Sequence, residues 1–481
     1  MEILFVTTEL SPFVKVGGLA DVAAALPKAL RGLGHKVTIV APRFPEFEES
    51  GLLLARRLTP IAVDLGGKAF EVTVFDGRLP SQVELVLVDV PGMFDRGGVY
   101  GKGTDDYPDN AIRFAVFCKA AVEIAKARAL TGTPYDVIHC NDWPAALVPA
   151  YKKEATVAVP ALGATRTVLT IHNVAHQGIF TRETVPTLGL GWEHFTIEGL
   201  EFYGKANLLK LGIVLADVVT TVSPTYAREI ASTQGHGLEG VLAARGASLV
   251  GITNGVDSAV WNPATDASLA ARYDAEDAAN KVRCRGALQR ELGLPLDTGV
   301  PIILNVGRLV AQKGTDLVAA AIPRLLRATD AQFVVCGHGD EALAHKLEEV
   351  AKKSDGRCVF VRAAPEQLVH RAFAAADLVL VPSRFEPCGL VQLYAHRYGA
   401  LPVARATGGL VDTVVDCDAK LETGTGFLFQ NDTVEELIAA TERGVAAHAS
   451  ARWPQLVRRV MRLDRGWERA ARQYEQVYRT R

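Results

Sequence analysis

PIILNVGRLVAQKGTDLVAAAIPRLLRATDAQFVVCG, residues 301–337, decides the fold class. An apolar run, PIILNV, enters a polar loop carrying Arg308, Lys313 and Gly314; the spacing that follows predicts a helix over about 314–328, and QFVVCG closes the segment. Strand, glycine loop, helix and strand make a βαβ unit, whose parallel strands need a right-handed crossover and a sheet covered on both faces. The pattern continues through a helix at 341–353, CVFV, a short helix at 366–376, DLVLVPS, a helix at 390–398, LPVAR and a helix beginning near Gly409.

Towards the N-terminus the same grammar is present. ILFV at 3–6 leads to a loop with Gly17 and Gly18, an amphipathic run at 19–33 and the strand-like HKVTIVAP, with further apolar runs at 83–90, 137–140, 166–171 and 218–222. The expected fold class is therefore α/β, two doubly wound Rossmann-like domains facing a deep cleft. The domains are placed at 1–250 and 251–456, joined by turn-rich sequence at 248–263. An arginine- and aromatic-rich helical stretch, 457–481, is expected to pack back on the N-terminal domain.

Composition removes several classes of function. Formal net charge is −2 over 481 residues, with 49% hydrophobic and 22% charged residues, so neither nucleic acid nor an anionic membrane is indicated as a partner. The start, MEILFVTTEL, has no basic stretch before its apolar run, so no signal peptide is expected; no run reaches a membrane span. Seven cysteines without a CxxC pair suggest neither disulfides nor zinc, and a reducing cytoplasm is the expected compartment.

On open α/β sheets, ligands sit beyond the carboxyl ends of the strands, so the loops there hold the candidates. In KVGGLAD, Gly17 and Gly18 let backbone approach a ligand and Lys15 adds charge, although a glycine turn without ligand is an equal reading. In GRLVAQKG, Arg308 and Lys313 can neutralise a leaving diphosphate, or can be surface cations. In PSRFEPCGLV, the N–H groups of Gly389, Leu390 and Val391 can hold an anion beside Glu386, whose carboxylate can accept from sugar hydroxyls or serve only the helix dipole. Cys388 lies between them and is either a thiol that a reagent would block or an inert buried one. Asp142, His172, Asn173, Tyr100, Asn254, Gly408 and Gly409 complete the set.

Together KVGGLADV, HCNDW, TIHN, TNGVD, NVGRLVAQKG, SRFEPCGL and TGGLVDTV, with TELSPF before them, resemble the bacterial glycogen and plant starch synthase family, glycosyltransferases of the GT-B type. The resemblance implies ADP-glucose as donor, an α-1,4-glucan such as glycogen as acceptor, retention of configuration, and no cofactor or required metal. It also implies an acceptor-side N-terminal domain and a nucleotide-sugar-binding C-terminal one. By motif, Lys15, Gly17, Gly18 and Asp21 meet the donor; Arg308 and Lys313 neutralise its diphosphate; Glu386 binds its glucose; His172 and Asn254 lie beside that sugar, and Asp142 near the acceptor. Departures are Asn141 and Pro144 where many members have histidine, Val391 for threonine, Tyr394 for a second glutamate, and Ala363 and Ala364 where an aromatic residue often meets adenine. Competing readings are a transferase using UDP-glucose or another acceptor and a non-catalytic carbohydrate or nucleotide sensor. A phosphorylase is disfavoured because no lysine segment resembles its pyridoxal phosphate site, and a dehydrogenase by the absence of GxGxxG.

Overall fold

The structure, a computed structural model, describes residues 1–103 and 105–480. The chain divides into two compact units, Met1–Ile252 with Trp467–Arg481, and Thr253–Gly466.

In the first unit the strands lie in the order Leu249–Gly251, Val218–Thr221, Arg166–Ile171, Val137–Asn141, Glu2–Val6, Lys36–Pro42, Glu84–Asp89, Lys68–Arg78, Leu54–Arg56. Pairing is parallel as far as Glu84–Asp89 and antiparallel beyond it. Ile3, Leu4, Phe5 and Val6 are all fully buried, which is why this strand reads as an unbroken apolar run. Strand order reverses at Glu2–Val6, which has Lys36–Pro42 on one side and Val137–Asn141 on the other. The crevice at this reversal is flanked by the loops that follow Val6 and Asn141.

The second unit holds a six-stranded, all-parallel sheet in the order Cys358–Arg362, Gln332–Gly339, Ile302–Leu309, Leu378–Val381, Leu401–Arg405, Phe427–Phe429. Its reversal falls between Ile302–Leu309 and Leu378–Val381, so the loops carrying Lys313 and Glu386 flank one crevice. The intervening helix, Thr315–Ala328, buries Leu317, Val318, Ala321, Ile322 and Leu325, one face of a 3.6-residue period. Gly314 precedes it at φ 64°, and a Cβ there would lie 2.1 Å from the Pro382 carbonyl oxygen. Only glycine lets the two loops approach this closely.

The stretch expected as one segment at 457–481 is two helices in different units. Trp453–Met461 belongs to the second unit and Trp467–Arg479 to the first; Arg481 lies outside the described residues. Between them, Arg465 is held in the second unit: its carbonyl accepts from Val256 N at 2.7 Å and its guanidinium donates to Thr413 O at 2.6 Å. Both helices have an apolar face, so periodicity alone runs through the break. The last helix buries Tyr474 and Tyr478, with the Tyr478 hydroxyl 2.7 Å from His139 Nδ1. Replacing Tyr478 by Phe leaves that buried ring nitrogen without its partner and should cost about 1–3 kcal/mol, read from urea unfolding.

Candidate active site

Lys313 and Glu386 meet in the second unit. Lys313 Nζ donates to Glu386 Oε2 at 2.6 Å and Ser383 Oγ donates to the same oxygen at 2.8 Å. Oε1 has no protein donor among the described residues, although the side chain is only 7% exposed. The two loops are stitched by Arg384 N to Gln312 O (2.8 Å) and by Arg384 to Asp316 (2.8 Å on both guanidinium nitrogens). Arg308 stands exposed at the end of its strand, with no ion pair among the described residues.

Behind Glu386 the chain is packed rather than open. Gly409 N donates to Glu386 O at 3.0 Å, and a Cβ on Gly409 would lie 2.3 Å from Cys388 O. Gly408 is also buried, so both glycines serve the packing of this loop. The Cys388 thiol accepts from Asn254 N, and burial pushes it up to about 12. Gln392, which the sequence did not mark, donates to the carbonyls of Cys388 (2.9 Å) and Gly389 (2.8 Å). It lies where a Cβ on Gly389, at φ 74°, would stand. The helix that follows is short, Val391–Arg397, with Leu390 as its cap; the N–H groups of Gly389, Leu390 and Val391 meet no acceptor among the described residues. Asn254 is buried with its Oδ1 unpartnered.

In the first unit the glycine loop is already occupied from beneath. Glu9 Oε2 accepts from Val16 N and Gly17 N, both at 2.8 Å, and Oε1 accepts from the Tyr100 hydroxyl at 2.9 Å. Burial raises the Glu9 pKa against these donors. Thus Tyr100 and the Gly17 N–H, read from sequence as ligand contacts, hold the loop, while space above Gly17 stays open with no atom within 4 Å of a Cβ there. Lys15 and Asp21 pair at 2.8 Å on either side of Gly18, where the first helix begins.

Asp142 sits at φ 56°, ψ −176°, a region that side-chain-bearing residues avoid and that is often found at functional sites. Its Oδ1 accepts from His172 N at 2.7 Å, and Asn173 N supports the same carboxylate. Burial nevertheless raises its pKa to about 7. His172 Nε2 lies 2.9 Å from Asn141 Oδ1, and burial lowers the ring to about 3, so it is neutral at working pH. Asn173 shapes the loop by accepting from Ala175 N at 3.1 Å.

Among the described residues, no group of three or more His, Cys, Asp or Glu could hold a metal ion. No described helix is long and apolar enough to cross a membrane. A separate groove of about 630 Å³, lined by Arg327, Lys346 and Arg357 among others, includes none of these site residues.

These two units, with a carboxylate–lysine pair at one switch point and a supported glycine loop at the other, define a two-domain glycosyltransferase. Residues 2–244 match the family model for the starch synthase catalytic domain, and 300–446 that for group 1 glycosyl transferases. A glycogen synthase of Anaeromyxobacter sp. strain Fw109-5 is 45% identical, covering 100% of this chain and 99% of its own length; glycogen synthase 2 of Geobacter metallireducens is 42% identical with the same coverage. The catalytic domain of starch synthase IV from Arabidopsis thaliana, bound to ADP and acarbose, superposes with a TM-score of 0.91 at 32% identity, over 99% of this chain and 98% of that one. Sucrose-phosphate synthase from Thermosynechococcus elongatus (TM-score 0.61, 19% identity, 99% and 98% coverage) shares the fold. The chain belongs to the glycogen and starch synthase family.

Two outcomes follow from burial at this site. Cys388 should react with thiol reagents about 10³-fold more slowly than an unperturbed cysteine at neutral pH, since its thiolate is so scarce. This revises the reading of an accessible blocking site, and mass spectrometry after timed alkylation checks it. Asp142 has a folded pKa near 7, above the ordinary carboxylate value of 3.8, so the native state holds its proton more tightly than the unfolded chain. Its contribution is most favourable below pH 3.8 and is lost as pH rises through 7. Asp142→Asn keeps the acceptor for His172 N and cannot ionise, so its stability relative to the parent should be greater at pH 8 than at pH 5, measured by urea unfolding at both.

Proposed function

We propose that the chain transfers glucose from ADP-glucose to the non-reducing end of an α-1,4-glucan, retaining the anomeric configuration. The observation that carries this reading is the Lys313–Glu386 pair, with exposed Arg308 five residues before Lys313 in the sequence, at the switch point of a unit that matches a glycosyltransferase family model. Departure of a nucleoside diphosphate leaves negative charge on the phosphate and positive charge at the anomeric carbon. Arg308 and Lys313 answer the first and the Glu386 carboxylate the second, with Oε1 available to the glucose hydroxyls. Lys15, Gly17, Gly18 and Asp21 act on the same donor, and Asp142 and His172 on the sugar side. Neutral His172 is no proton source at pH 7, which suits front-face attack with the leaving phosphate accepting the acceptor's proton.

Adenine selectivity is supported by the likeness to a starch synthase bound to ADP, not by Ala363 and Ala364, which offer no ring to stack on. The seven cysteines, all free thiols and buried, suit a reducing cytoplasm.

With glycogen as acceptor, ADP-glucose should give a higher kcat/KM than UDP-glucose, and turnover should persist in EDTA because two protein cations stand where a metal would act. A preference for UDP-glucose would move the chain to the alternative donor class; no turnover with either would favour a sensor. Lys313→Ala should lower kcat by about 10²-fold or more. A loss confined to donor KM would reduce the lysine to a binding group.

A further inference from the structure

We infer that Asn141 is a positioning residue for His172, fixing its imidazole with the proton on Nε2 and thereby presenting Nδ1 to a ligand as a hydrogen-bond acceptor. The inference begins at Val6, the last residue of the central strand. Its carbonyl can only accept, and Asn141 Nδ2 lies 3.0 Å from it, so the amide nitrogen must face that way. The orientation of the carboxamide is therefore set by a backbone group rather than chosen. Oδ1 then faces His172 Nε2 at 2.9 Å, and because a carboxamide oxygen accepts only, Nε2 must carry the proton.

Asn141 is fully buried, on a strand paired with both neighbours, so it cannot turn away without leaving its amide unsatisfied. Asp142, the next residue, accepts from the backbone N of His172 at 2.7 Å. Two consecutive residues at one strand end thus hold the ring and the main chain of the first residue after the adjacent strand, Arg166–Ile171. The titratable groups around this pair are His139, buried and bonded to Tyr478 and Thr170, and Asp142, on which the Glu9 charge acts. His172 Nδ1 has no partner among the described residues. The ring can accept from a sugar hydroxyl through Nδ1 but cannot deliver a proton there.

The sugar in this statement rests on the proposed function; the tautomer does not. In the full chain labelled with ¹⁵N-histidine, with the resonance assigned by comparison with His172→Gln, the His172 ring should show a protonated Nε2 and an unprotonated Nδ1 from pH 6 to 9. A proton on Nδ1 would overturn the inference. Asn141→Asp preserves an acceptor beside Nε2, so the ring should keep its tautomer. Loss of the proton from Nε2 in this variant would contradict contact between the two side chains. Asn141→Leu removes the acceptor; with an unchanged melting temperature it should mix the tautomers and lower kcat about 10–100-fold, with donor KM changed less than about threefold. A folded Leu variant that keeps both the Nε2–H signature and the parent kcat would also overturn the inference. Should Asn141→Leu fail to fold, the parent and Asn141→Asp spectra decide. Absence of glucosyl transfer by the parent protein would defeat the proposed function and leave the tautomer result standing.

Discussion

A carboxylate that is 7% exposed and 2.6 Å from a lysine, held between the two strand ends where a parallel sheet reverses, is the constraint on which the second unit's site depends. Burying Glu386 alone would be costly, so Lys313 and Ser383 must come to it, and they do so from loops locked by Gly314 against Pro382 and by Arg384 against Asp316. Such a pair is weak evidence for stability but strong evidence of a place prepared for charge. In the proposed reaction an arriving diphosphate would compete with Glu386 for Lys313, and exposed Arg308 would supply the second cation without breaking an ion pair among the described residues.

The first unit solves a similar problem with backbone donors. Glu9 gathers Val16 N and Gly17 N, and Asp142 gathers His172 N and Asn173 N, so each buried carboxylate fixes a loop at a strand end. Neither acid meets a cation in these contacts. Their raised pKa values follow from burial that hydrogen bonds only partly offset.

The α/β class and the loops bearing Lys313, Glu386, Asp142 and His172 were legible because a strand followed by polar residues marks its own carboxyl end. What stayed hidden depends on contacts across the fold. Ser383 and Gln392 have no distinguishing sequence context; their importance lies in the oxygen or carbonyl they meet. Glu9 had a local signal, a buried-side acid eight residues before Gly17, but its use as a loop support required the loop's geometry. Cys388 read as a ligand contact because it neighbours Glu386, and Gly409 because it stands in TGG, whereas the thiol and the missing Cβ face protein. The 457–481 stretch misled for a related reason, since apolar periodicity reports that a face is buried and not which unit buries it.

The central claim, that Glu386 serves the transferred sugar while the cations beside it serve the diphosphate, is tested most directly by calorimetric ADP binding and glucosyl transfer in Glu386→Gln. The account predicts ADP affinity equal to or tighter than that of the parent, because Lys313 loses its competing anion, together with a fall in kcat of about 10²-fold or more. Equal losses of ADP affinity and turnover would contradict it and leave Glu386 as a support for the loop alone.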